Sequence, residues 1–138
     1  MVNELKRASA LLSAGNYTCV LCRGDSIFTD SRRGVRPLLE LLESGADLRG
    51  FAAADKVVGK GAAYLYVLMG VGSVYAQVIS SPATEVFIRY GIAFSCGTQV
   101  PAIENRTKTG LCPIESSVWD VDDPAVALTV IRRTLANL

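Results

Sequence analysis

Three charged residues, Asp55, Lys56 and Lys60, head a stretch, 53–69, whose other residues are nearly all apolar. That composition predicts a helix buried against a sheet. Lys56 and Lys60, spaced i,i+4, would share one face of it, where like charges cost about 0.3 kcal/mol. They would also sit at the end whose dipole favours anions. Gly59 and Gly61 are poor helix formers, each about 1 kcal/mol worse than alanine. Such residues make sense where something approaches the backbone closely. Together they point to a helix N-terminus facing an anionic group, held by Lys56 and Lys60, with Asp55 as acid/base or orienting group. The plainer alternative is that Asp55 caps the helix and both lysines are solvated in its first turns.

Cys112 is the second candidate for chemistry. It lies in a polar stretch, 104–116, with Arg106 and Lys108 close in sequence and Pro113 fixing the backbone after it. Cations near a thiol favour the thiolate, and the thiolate is the nucleophile. Glu115 would oppose ionisation, and Leu111 and Ile114 could instead draw the segment into the core. The other three thiols, Cys19, Cys22 and Cys96, fall in or beside apolar strands. Three residues apart on a strand, Cys19 and Cys22 face opposite sides roughly 10 Å apart, too far for a disulfide. A zinc knuckle needs a second close pair, which Cys96 and Cys112 do not make. Reduced, mostly buried thiols are expected, with no metal and no cofactor, and they suit the cytoplasm.

What must position these residues is set by a chain of 138 residues, half apolar and a fifth charged, read as one domain over 1–138. A net charge of +1 gives no field to recruit nucleic acid or an anionic membrane. The apolar run within 61–71 is too short to span a bilayer, and the N-terminus lacks the apolar core of a secretory signal. A cytoplasmic protein is expected. There is no histidine, which removes the commonest general base and metal ligand.

Asn3 can cap a first helix bearing Leu5, Ala8, Leu11 and Leu12, and Gly15 stops it. Residues 17–23 and 26–29 read as strands around the Gly24-Asp25 turn. A polar loop with Arg32 and Arg33 precedes a short helix opened by Pro37 and closed by Gly45. Arg32, Arg33 and Arg36 are either solvated or part of an anion-facing rim. After the 53–69 helix comes a strand over 73–79. Ser81 then caps a helix with Pro82 at its first position, ended by Gly91. Residues 92–95 form a strand that 100–103 could continue, and 118–121 a last short one. Asp123 caps the final helix, which carries Ala127, Ile131 and Leu135 on one face. The loop 104–116 is long enough to be functional rather than idle. Alternating strands and helices after a hairpin give a mixed sheet covered on both faces, a three-layer α/β/α sandwich.

Arg33-Gly34-Val35-Arg36-Pro37, Ala54-Asp55-Lys56-Val57-Val58-Gly59-Lys60, Val100-Pro101-Ala102-Ile103, Asn105-Arg106 and Cys112-Pro113-Ile114-Glu115 resemble a family of small prokaryotic proteins. That family is domain of unknown function 1893. The resemblance covers nearly the whole chain and implies a cytidine-deaminase-like fold without an established activity. Zinc deaminases carry a His or Cys ligand with a Glu two residues on, and a Pro-Cys-x-x-Cys, at two helix N-termini. Asp55 and Lys56 stand at the first place and Ser81-Pro82-Ala83-Thr84 at the second, so zinc-activated attack is not implied. The resemblance does imply that these two helix N-termini border a cleft.

Three functions compete. In the first, a metal-independent enzyme acts on a small anionic, nucleotide- or sugar-phosphate-like molecule. Lys56, Lys60 and Arg33 hold the anion, Asp55 and Cys112 do the chemistry, and Arg106 and Glu115 complete the site. In the second, the same cleft binds or senses a ligand without turnover. In the third, loop 104–116 docks a protein partner. Homo-oligomerisation is left open by the sequence.

Overall fold

The expected hairpin opens the sheet. β1 (Cys19–Arg23) pairs antiparallel with β2 (Ser26–Asp30), and Gly24 supplies the positive φ, +58°, that the tight turn requires. Each further strand is reached through a helix. The full order is α1 (Val2–Ala14), β1, β2, α2 (Arg36–Glu43), β3 (Ala52–Val58), α3 (Lys60–Met69), β4 (Ser73–Ser80), α4 (Ser81–Tyr90), β5 (Ala93–Val100), α5 (Pro113–Ser117) and α6 (Pro124–Ala136). This computed structural model describes residues 2–138, with side chains from Glu4 onward. Asn3 as a cap therefore lies outside the described side chains.

The sheet order is β2-β1-β3-β4-β5, with β3, β4 and β5 parallel and β1 antiparallel to both its neighbours. On one face α1 lays Ala8 and Leu12 over Val20, Cys22 and Ala54. On the other, α2, α3, α4 and α6 enclose the larger core, in which Leu21, Ala53, Val74 and Ala76 meet Leu38, Leu65, Phe87 and Ile131. This is the mixed α/β/α sandwich that the sequence predicts. Cys19 belongs to the larger core and Cys22 to the α1 side, as strand alternation requires.

Four boundaries differ from expectation. Residues 52–58 are a strand, and the helix begins only at Lys60. A strand covered on both faces shows no alternation, so Ala-Ala-Ala-Asp-Lys-Val-Val reads equally as the start of a buried helix. Ser80, not Ser81, caps α4, its hydroxyl accepting from the Ala83 N–H at 3.3 Å. The segments 92–95 and 100–103 are replaced by one strand, 93–100, whose polar middle belongs to an exposed sheet edge. Residues 118–121 form no strand. Val118 is fully buried, but the chain turns there so that the Val121 carbonyl accepts the Tyr64 O–H at 2.6 Å. Asp123 caps α6 as expected, accepting from the Ala125 and Val126 N–H groups. No helix among the described residues is long and apolar enough to cross a membrane.

Candidate functional site

The turn from β3 into α3 carries the site. Gly59 is extended, with φ −93° and ψ −177°, and α3 starts on the next residue. The first N–H groups of a helix have no partner within it and form its positive end. Here the chain supplies its own anion. Glu115, 2% exposed, accepts the Lys60 N–H on Oε1 at 2.7 Å and the Ile103 N–H on Oε2 at 2.8 Å.

The glycines are explained by the same contact. A Cβ at Gly59 would stand 3.1 Å from Glu115 Oε1 and 3.2 Å from Ile103 Cγ1, and one at Gly61 would stand 2.5 Å from Ile114 Cγ2. What approaches the helix backbone closely is segment 103–115, not a ligand. Glu115 lines the adjoining cavity, but each of its oxygens already accepts a backbone N–H, so it anchors segment 103–115.

Pinned in this way, segment 103–115 forms one wall of a cavity of about 990 Å³ at the carboxyl end of β3. In sheets of this kind that is where ligands bind, and the size is at the upper end for small-molecule sites. Four cations line it: Arg33 before α2, Arg36 at the start of α2, Lys56 on β3 and Arg106 on the facing loop. All four are exposed, and none is ion-paired among the described residues. Glu104 on the rim is exposed as well. By contrast Arg32 is fully engaged, with Asp30 at 2.8 Å and Glu40 at 2.7 Å, beside a separate cavity of about 280 Å³.

Asp55 forms part of the cavity wall at 8% exposure. The Tyr66 O–H donates to its Oδ2 at 2.7 Å and the Val57 N–H to its Oδ1 at 3.3 Å. No cation reaches it among the described residues. Burial pushes its carboxyl up to about 6, and the Tyr66 bond pulls it only part of the way back. Cys19 is its neighbour in register on β1, and that thiol is pushed up to about 12 by burial first and the Asp55 charge second.

The structure thus brings Asp55, Lys56, Arg33, Arg106, Glu115 and Cys112 to one cavity and leaves Lys60 out of it. The Lys60 ammonium donates to the Trp119 carbonyl at 2.6 Å and lies 5.8 Å from the centre of the Tyr64 ring. Its i,i+4 relation to Lys56 disappears because Lys56 is on a strand. Sequence reasoning missed Tyr66, read as core. A phenol on a buried helix needs a partner for its hydroxyl, and that requirement is the available signal. Cys112 is half-buried, packing on the core while lining the cavity.

Two outcomes follow for the titrating groups. The fold favours protonated Asp55, so its contribution is complete below the unfolded value of 3.8 and is lost as pH rises through about 6. That shift corresponds to about 3 kcal/mol. Asp55→Asn cannot titrate, so urea melts of the two proteins should show its relative stability rising by about that much between pH 4 and pH 7. A difference constant with pH would contradict the assignment. For the thiols, iodoacetamide on the native protein should label Cys112 well before Cys19 and Cys22, which are buried and pushed up. If peptide mapping finds Cys112 unlabelled until the protein unfolds, it is a packing residue alone.

Comparison with known proteins places the chain. A family model described as domain of unknown function (DUF1893) matches residues 7–135. The crystal structure of a DUF1893 family protein from Thermotoga maritima superposes with a TM-score of 0.88 at 30% identity, over 100% of this chain and 92% of that one. A diaminohydroxyphosphoribosylaminopyrimidine deaminase/5-amino-6-(5-phosphoribosylamino)uracil reductase from the same organism aligns with a TM-score of 0.44 at 16% identity, over 84% of this chain and 40% of that one. That similarity is too loose to carry an argument. No curated protein matches. On the match across 7–135 and the full-length structural counterpart, the chain belongs to the DUF1893 family.

Proposed function

We propose that the cavity at the end of β3 binds a small anionic molecule of the nucleotide or sugar-phosphate kind. One observation carries this reading: Arg33, Arg36, Lys56 and Arg106 surround the cavity without carboxylate partners. Unpaired guanidinium and ammonium groups around a concave site hold phosphate oxygens well, the arginines in bidentate fashion. Chemistry at the site would be metal-independent, since Cys19 and Cys22 lie on opposite sheet faces and no three side chains of ligating type gather among the described residues. In such chemistry Asp55, with a carboxyl near 6, would be the acid/base group and Cys112 the nucleophile.

A second reading, ligand binding without turnover, is favoured by one feature. The Cys112 thiol has no hydrogen-bonded base beside it among the described residues, and an activated nucleophile needs one or a cationic neighbour in contact.

Calorimetry with ribose 5-phosphate and cytidine 5′-monophosphate tests the site. At least one should bind, and Lys56→Ala and Arg106→Ala should each weaken binding about tenfold, equivalent to roughly 1.4 kcal/mol per lost contact. Lys60→Ala should leave it unchanged. Absence of binding by both probes, or equal weakening by Lys60→Ala, would remove the proposal. Following the bound probe by NMR separates the two readings, since only an enzyme converts it.

A further inference from the structure

Resting on that reading, we infer that the ligand is zwitterionic: besides its anionic group it carries a protonated amine, which pairs with the Asp55 carboxylate. The cavity has two poles of opposite sign. Its exposed rim carries the four unpaired cations and a single carboxylate, Glu104, while its wall carries two buried ones, Glu115, held at 2.7 and 2.8 Å by two backbone N–H groups, and Asp55, 8% exposed. A carboxylate offers about four acceptor sites, and the protein fills two, one with the Tyr66 O–H at 2.7 Å and one with the Val57 N–H at a long 3.3 Å. Burying a carboxylate without a counter-charge is costly. None of the cations on the rim closes on it, although Lys56 is its neighbour in the chain.

A wholly anionic ligand would be drawn by the rim and repelled by Asp55. A ligand with an ammonium group satisfies both poles, and the Tyr66 hydroxyl holds the carboxylate in place to receive it. Charge placement of this kind selects among ligands by rejecting those that leave a buried charge unpaired. In a site so built, a neutral chain bearing the same anion would bind through the rim alone.

The test compares ω-aminoalkyl phosphates of two to six methylenes with alkyl phosphates of the same lengths, by calorimetry at pH 7.5. At least one amine should bind about tenfold tighter than its amine-free counterpart. In Asp55→Asn that preference should vanish and the alkyl phosphates should bind at least as tightly as to the wild type, the repelling charge being gone, with a melting curve confirming that the variant is folded. Alkyl phosphates binding as well as every amine would overturn the inference and leave the anion site standing. The same holds for a preference that survives Asp55→Asn. If neither series binds the wild-type protein, the anion site falls and the inference falls with it.

Discussion

Everything at the site depends on where the Glu115 carboxylate goes. It is buried against the first turn of α3, one oxygen on the Lys60 N–H and the other on the Ile103 N–H. Hydrogen bonds to a charged group contribute about 1.5–3 kcal/mol each, and an anion at a helix N-terminus gains from the dipole as well. The geometry admits little variation. Gly59 and Gly61 lack the Cβ that would push Glu115, Ile103 and Ile114 away. A polar segment with few apolar anchors is held to α3 by this one side chain and by the buried Ile114, while the Ile103 carbonyl, accepting the Cys112 N–H at 2.9 Å, closes the segment on itself.

That constraint decides which charges remain free. The helix end finds its anion within the chain, and Lys60, first in the helix, turns to the Trp119 carbonyl instead. Among the cations without carboxylate partners, Arg33, Arg36 and Lys56 line the cavity from the α2 and β3 side, and they share it with Arg106 and Cys112 because segment 103–115 is fixed there. Beneath them Asp55 keeps a hydrogen bond but no counter-charge. Both buried acids accept two hydrogen bonds and neither is ion-paired among the described residues, but the two bonds to Glu115 are short, at 2.7 and 2.8 Å, whereas one of those to Asp55 is long, at 3.3 Å.

Much of this arrangement can be read from the residues. The hairpin, the Pro37 helix, the Asp123 cap and the layered mixed sheet follow from turn chemistry, capping and alternation. Asp55, Lys56, Arg33, Arg106, Cys112 and Glu115 line one cavity, although they lie between 33 and 115 in the chain. The reading fails where one pattern fits two structures. A doubly covered strand and a buried helix have the same composition, so 53–58 was assignable to either, and with it the face of Lys60. Gly59 and Gly61 do signal a close approach to a helix N-terminus, whereas the two lysine side chains take no part in it: Lys60 donates to the Trp119 carbonyl and Lys56 is on β3. That the anion is Glu115, 55 residues from Lys60, is a tertiary fact with no local trace.

Amide hydrogen exchange of the native protein at Lys60 and Ile103 tests the Glu115 anchor most directly. Hydrogen bonds buried with the core should exchange only when the core opens, so both amides should be protected to the same degree as those pairing β3 with β4. Exchange at the rate of the amides of the exposed Arg106 and Thr107 would mean that the carboxylate does not hold the segment, and that the cavity has no fixed wall.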